Sequence, residues 1–192
     1  TKGGSNNRDG AWMGRPPAQY NEGNVTVKNG MLYITTKWDE NFINWAPSYY
    51  GEAYGTPAPL TTGCLVSKAA NDFTRGYMEI RCKAADAPIS SSFWTTGTGG
   101  ELDCFEHYGQ TPNSPYSETR LHNSIHDWRA GNTNQTNNRK WSHDVQLEYR
   151  VADDFHVYGI EWDANYIKYH IDGQLIGYAT RTEVDKTDGW AL

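Results

Sequence analysis

The 192-residue chain is long enough for one domain with a real hydrophobic core, and its 17 Lys and Arg against 23 Asp and Glu leave a formal net charge of −6. That balance excludes a nucleic acid or an anionic membrane held by bulk electrostatics, and no apolar run approaches the roughly 18 to 20 residues of a membrane span. Aromatic residues make up 14% of the chain, with 8 Trp and 13 Tyr, which sets it apart from disordered sequences.

In chain order, residues 24–27 and 31–36 flank Asn29 and Gly30 and predict a hairpin. Residues 77–83, opened by Gly76, have strand composition, and 91–96, 102–108, 120–128 and 155–162 follow as further strands. Residues 166–171 and 174–178 flank Asp172 and Gly173, the strongest short hairpin signal in the chain. No window of helical length keeps a 3.6-residue period. Short strands broken by Gly, Pro and Asn turns predict one all-β domain over residues 1–192, a sandwich or barrel of antiparallel sheets. Two stretches resist the pattern. Residues 37–62 hold Trp38, Trp45, Tyr49, Tyr50 and Tyr54, and such a ring-rich loop reads as functional. Residues 130–143, rich in Asn, Thr and Arg, read as a surface excursion. Cys64, Cys82 and Cys104 are too few for a disulfide scaffold and too far apart for a zinc knuckle, and read as small buried hydrophobes.

The most informative segment is Gly-Gly-Glu-Leu-Asp-Cys-Phe-Glu-His over residues 99–107. In a regular strand Glu101 and Asp103 share one face and Glu106 points the other way. One extra residue, a β-bulge between Asp103 and Glu106, returns Glu106 to the first face and leaves Leu102, and Cys104 or Phe105, for the core. Three acids then stand in a row on one exposed face. Like charges this close oppose joint ionisation, so one carboxyl keeps its proton and an acid sits beside a base. A curved strand lets the two Glu side chains lean together towards the roughly 5 Å of a retaining glycosidase pair, although spacing does not say which is nucleophile and which acid. A solvated acidic strand face is the plain alternative. The surroundings favour a site: Trp94 leads into the acids, and His122, Ser124, His126 and Trp128 recur at period 2 on a later strand as a cleft lining. The histidines lack a convincing acidic or thiolate partner set, so no metal site is predicted.

Glu-Leu-Asp-Cys-Phe-Glu over residues 101–106 matches the E-x-D-x-x-E bulge signature of glycoside hydrolase family 16, and the segments 75–81, 91–94, 122–126 and 155–162 follow in an order that resembles that family's. Trp-Met-Gly-Arg-Pro-Pro-Ala-Gln-Tyr over residues 12–20 resembles the entry segment of its red-algal galactan hydrolases, the β-agarases and β-porphyranases. The resemblance implies a concanavalin-like jelly-roll sandwich of two curved antiparallel sheets with an open substrate cleft. It implies endo-hydrolysis of a β-linked polysaccharide with retention of configuration. By position it makes Glu101 the nucleophile, Asp103 its assisting acid and Glu106 the acid/base, and sets Trp94 beside the sugar at the cleavage point. Resembling chains run on through further strands, which predicts a sandwich lacking its last strands here.

Porphyran carries sulfate and agarose does not; sulfate recognition suits Arg, whose planar fork matches an oxyanion. Arg15 and Arg129 are the candidates taken forward, with Trp45, Trp94, His122, His126 and Trp128 as sugar contacts, and porphyran is preferred narrowly over agarose. A laminarinase-like β-glucanase of the same family and a non-catalytic, lectin-like sandwich are the competing readings; the second has no need of carboxyls at bulge spacing. A monomer working without a cofactor is expected, secreted or at the cell surface, since Thr1 in place of an initiator Met suggests a processed or trimmed start. This type of fold admits a structural calcium ion on its outer face, for which no ligand cluster stands out.

Overall fold

Asn29 and Gly30 both take positive φ, 53° and 75°, and Asp172 and Gly173 repeat the pattern at 50° and 77°. Such residues suit the tight turns whose twist matches that of the flanking strands, which is why both dipeptides close hairpins. The computed structural model describes residue 14 and residues 17–41, 59–67, 74–97, 99–114, 116–129 and 138–185. The chain divides into two units, Thr1–Asp72 and Phe73–Leu192.

The first unit holds β1 (Ala18–Tyr20), β2 (Val25–Lys28), β3 (Met31–Ile34), β4 (Lys37–Trp38) and β5 (Leu60–Thr62). β2 and β3 form the predicted hairpin, while β5 pairs parallel with β1 and antiparallel with β4. Asn24 ties these pieces together: its buried side-chain amide donates to the Thr35 carbonyl at 2.7 Å and to Thr61 Oγ1 at 3.1 Å. Both ends of the stretch 37–62, expected as loop, are therefore short strands. Each is too brief to leave an alternation in the sequence.

The second unit is a β-sandwich. Its first sheet orders β10 (Arg139–Gln146), β9 (Arg120–Asp127), β8 (Gly100–Tyr108) and β7 (Ser90–Thr96). Its second orders β13 (Gln174–Thr180), β12 (Tyr166–Ile171), β11 (His156–Trp162) and β6 (Gly76–Cys82). Every pairing in both is antiparallel. The alternation of each strand sends one set of side chains between the sheets: Leu102, Phe105, Leu121 and Ile125 from the first meet Tyr158, Ile160, Ile167 and Tyr169 from the second. Each fully buried Leu, Ile or Val contributes about 1.5–3 kcal/mol. Phe105 stacks on Tyr158 with ring centroids 4.0 Å apart, and Tyr169 caps its burial by donating its hydroxyl to the Ser124 carbonyl at 3.3 Å.

The excursion expected over residues 130–143 is corrected in its second half: residues 139–143 belong to β10 and pair with β9. Trp141 and Val145 pack against the core, but the polar residues between them hide that alternation in the sequence. Residues 130–137 lie outside the described residues. The α-helix α1 (Arg181–Val184) is four residues long and closed by a capping box between Thr180 and Glu183. Among the described residues no helix is long and apolar enough to cross a membrane.

Candidate active site

The bulge is where the sequence requires it. On β9, Glu101 pairs with His126, Asp103 with Ser124 and Glu106 with His122, so three residue steps on β8 oppose two on β9. β7 counts the same surplus: Phe93 faces Phe105 while the next residue, Trp94, faces Asp103. The extra residue therefore belongs to β8 alone, at Cys104, whose carbonyl is held by the buried Asn123 side chain at 2.5 Å. Cys104 and Phe105 both enter the core, and Glu106 rejoins Glu101 and Asp103 on the opposite face.

That face is less exposed than expected. Asp103 is buried, at 4% exposure, and Glu101 and Glu106 are half-buried. Neighbouring side chains on β9 and at its end cover them. Ser124 donates its hydroxyl to Asp103 Oδ2 in a short hydrogen bond. Its one proton thus engaged, Ser124 Oγ accepts at 3.1 Å from His126 Nε2, which also lies 3.3 Å from Asp103 Oδ2. Nε2 must then carry a hydrogen. On the other side of the ring, Nδ1 lies 3.1 Å from Asn138 Oδ1, whose own Nδ2 is buried without a partner. As an imidazolium, His126 donates to Oδ1; as a neutral ring it would accept from Nδ2 if the amide turned over. In both states Nε2–H stays on Asp103.

Asp103 is thus an acceptor from two donors, and its charge acts on both neighbours. Burial first, then the Asp103 charge, push Glu101 up to about 7; the His126 charge and the Trp128 indole pull it back, and Glu106 adds a smaller upward push. Burial and then Asp103 also raise Glu106, against a hydrogen bond from Tyr108 and the charges of His122 and His126. For His126, burial works against the charged ring, but bonds to Asp103 and Asn138 outweigh it and raise the pKa. The arrangement thus shifts both glutamates towards their protonated forms, Glu101 to about 7.

Trp94 stands across β7 from Asp103, and Trp128 stacks on His126 with centroids 5.4 Å apart and planes at 17°. The Trp128 indole N–H is buried without a hydrogen-bond partner of normal geometry, although it lies close enough to Glu101 to act on its charge. At the other end of the row, His122 Nδ1 pairs with Asp144 Oδ1 at 2.7 Å, and Arg120 reaches the same carboxylate at 3.8 Å. The expectation that the histidines lack acidic partners is corrected: both have one. Asp144 escaped notice because its strand did, and Asn138 gave no signal within an Asn-rich run. Arg129 is clamped on the fully buried Asp127, through Nε at 2.9 Å and Nη2 at 2.7 Å, and its side chain remains 37% exposed. It packs over Gly99, whose φ is +81° and whose Cβ, had it one, would lie 2.6 Å from Arg129 Cγ. Arg15 and Trp45 lie outside the described residues.

Glu101, Asp103 and His126 place one ligand-type atom each within 4.8 Å of one another, the one such group among the described residues. The hydrogen of His126 Nε2 and the acceptor capacity of Asp103 already satisfy each other there, so the set is built as a proton network.

A bulged strand with three acids, set in an antiparallel sandwich, is what the sequence signature led to, and the comparison with known families agrees. The model of the β-porphyranase A–D GH16 domain matches residues 2–191. The chain belongs to glycoside hydrolase family 16. Within that family, β-porphyranase B of Phocaeicola plebeius is 30% identical over 205 residues, covering 91% of this chain and 61% of the relative. The crystal structure of porphyranase B from Zobellia galactanivorans matches with a TM-score of 0.66 at 24% identity, over 88% of this chain and 65% of that one. The laminarinase catalytic domain from Thermotoga maritima matches with a TM-score of 0.67 at 21% identity, over 88% and 64%. The expected jelly-roll sandwich is the fold of this family 16 chain, which spans about three-fifths of the length of the curated relatives it matches.

Proposed function

We propose that the chain is the catalytic region of an endo-acting, retaining glycoside hydrolase that cleaves β-linkages in a red-algal galactan, porphyran before agarose. The observation that carries the reading is the bulge, which sets Glu101 and Glu106 on either side of an Asp103 held by Ser124 and His126. Glu101 attacks the anomeric carbon while Glu106 gives its proton to the leaving oxygen, and a glycosyl ester forms on Glu101. Esterification removes the Glu101 charge, so the push on Glu106 falls and its carboxyl turns from acid to base. Glu106 then takes a proton from water, whose oxygen displaces Glu101 and releases the sugar. Asp103 keeps its contacts with Ser124 and His126 between the two glutamates, and Trp94 and Trp128 offer ring faces to the sugars. The carboxyls supply the chemistry without a cofactor, and a polymer too large to enter a cell calls for a secreted or surface-held monomer.

Arg129 supports the sulfated substrate. Asp127 and Gly99 fix its guanidinium beside the start of β8, two residues before Glu101. A β-glucan remains the second reading, supported by the likeness of fold to the laminarinase. The test is product release from porphyran, agarose, κ-carrageenan and laminarin, with Glu101→Ala alongside. Oligosaccharides from porphyran, absent with the variant, are expected. Release from laminarin alone would replace the galactan, and no release by the folded protein would leave a binding module.

A further inference from the structure

At the Glu106 end of the acid row stands a charged pair that the reaction scheme does not use. Register sets Ser92, Glu106, His122 and Asp144 in one line across β7, β8, β9 and β10. The bulge makes this line. On a regular count from Asp103 and Ser124, Phe105 would face His122; the surplus residue brings Glu106 there instead. Directly opposed side chains on neighbouring strands start about 5 Å apart at Cβ, so the imidazole stands within reach of the Glu106 carboxyl.

The ring is held from behind. His122 Nδ1 lies 2.7 Å from Asp144 Oδ1, and Arg120 Nη1 reaches Asp144 Oδ2 at 3.8 Å. A carboxylate only accepts, so Nδ1 carries the hydrogen of that bond. Nε2, the other ring nitrogen, makes no hydrogen bond among the described residues. The groups that face Glu106 differ strand by strand. β7 offers the uncharged Ser92. β8 brings the like charges of Asp103 and Glu101, and a hydrogen bond from Tyr108 that opposes them. β9 brings His122 and His126, whose charges favour the Glu106 anion, with Arg120 next along the same face. From β10 comes Asp144 alone, two strand spacings or about 10 Å away and with its side chain 53% exposed, so solvent and salt screen its direct action.

We propose that His122 is a positioning residue for the proton of Glu106, and that Asp144, by holding the ring, acts on Glu106 through it. The proposal rests on the reading of Glu106 as the acid/base of a retaining hydrolase. A ring that favours the Glu106 anion eases proton transfer to the leaving oxygen and makes the later uptake of a proton from water harder, so it counts most for poor leaving groups.

The test follows the Glu106 carboxyl by carbon NMR in protein carrying isotope-labelled glutamate, with the signal assigned through Glu106→Gln. The parent, His122→Gln, Asp144→Ala and the two changes together are titrated with pH, and the pH profile of kcat/KM on porphyran oligosaccharides is measured alongside. His122→Gln is expected to raise the Glu106 midpoint, and with it the alkaline limb of kcat/KM, by about half to one pH unit. Asp144→Ala should raise both by less, because it frees the ring, although removal of a nearby carboxylate by itself lowers a neighbour's midpoint. Added to His122→Gln, the same Asp144→Ala change should lower the midpoint or leave it in place. That reversal of sign is one that a packing role does not produce. An unmoved midpoint in a folded, active His122→Gln overturns the proposal and leaves the hydrolase reading standing. So does a fall with Asp144→Ala in the parent, which would make Asp144 a nearby charge and nothing more. Midpoints that move as expected in a protein that cleaves no polysaccharide sustain the coupling and sink the acid/base reading. Asp144 is exposed on the edge strand of its sheet, so Asp144→Ala keeps the test open if His122→Gln fails to fold.

Discussion

Replacing Glu101 by Gln removes the proposed nucleophile, and it should also make the protein more stable in a pH-dependent way. Glu101 titrates at about 7 in the fold against an ordinary value of 4.5, chiefly because it is buried and next to Asp103. A carboxyl raised in this direction contributes stability that is complete below the unfolded pKa and is lost as pH climbs through the folded one. Above pH 7, the ionised form is therefore unfavourable by a ceiling of about 3 kcal/mol relative to a neutral group of the same shape. Partial exposure and a proton shared with Glu106 reduce that to about 1.5 kcal/mol. Gln keeps the shape without the charge, so Glu101→Gln should melt about 3–6 °C above the parent near pH 8. Near pH 4 the two should melt together, since Glu101 is then protonated. Calorimetric melts of both proteins across this range, with hydrolysis assayed in parallel, check the claim. A difference that does not vary with pH, or a variant that melts lower at pH 8, would refute the electrostatic account even if activity vanished as expected.

Three further substitutions probe the same network. In His126→Ala the counter-charge facing Glu101 and Asp103 is gone, with Arg139 the residue paired to it from β10, so the acid limb of kcat/KM should move up by about half to one pH unit; a lower rate with an unmoved limb would make His126 a packing residue only. Glu106→Ala should lose most activity on unactivated substrates, while on an aryl glycoside whose leaving group needs no proton azide should speed turnover and give a glycosyl azide of retained configuration; a product of inverted configuration would contradict the double-displacement route. Asp127→Asn removes the carboxylate that pairs with Arg129 and the nearby Lys140, and should lower stability by about 1–2 kcal/mol at neutral pH in urea unfolding. Because bonds from Arg129 hold Asp127 down to about 2, its contribution is present above an ordinary 3.8 and disappears as pH falls towards 2, so the Asn variant should show a flatter acid limb of stability.

The strands that the sequence made legible are those with residues alternating against a core and a turn dipeptide to bound them. β12 and β13 flank Asp172 and Gly173 as expected, and β8 could be aligned only because three acids and three apolar residues demand opposite faces around one extra position. β10 was hidden because between its two core-packed residues, Trp141 and Val145, stands the exposed and polar His143, and its remaining residues carry the composition of a loop. The catalytic row was legible for the same reason as β8, and His122, Ser124, His126 and Trp128 by their period of two. What supports the row was not: Asn138, Asp144 and Tyr108 act through pairings that exist only once separate strands lie side by side.

The surplus residue at Cys104 has a consequence for how this chemistry can be altered. Glu106 owes its side of the sheet to a count of residues and not to its own identity, and the same count gives β8 one more residue than either neighbour across that interval. Deleting Cys104 would remove the surplus and leave a regular strand, in which Glu106 keeps the face of Asp103 and Phe105 keeps Phe93 opposite it, whereas deleting Leu102 would turn Glu101 away from Asp103. Frame, in the pleated sense, is thus as much a part of the candidate active site as any carboxyl. An engineer can shorten this strand by one residue at the bulge, but not between Glu101 and Asp103, without turning an acid to the other face.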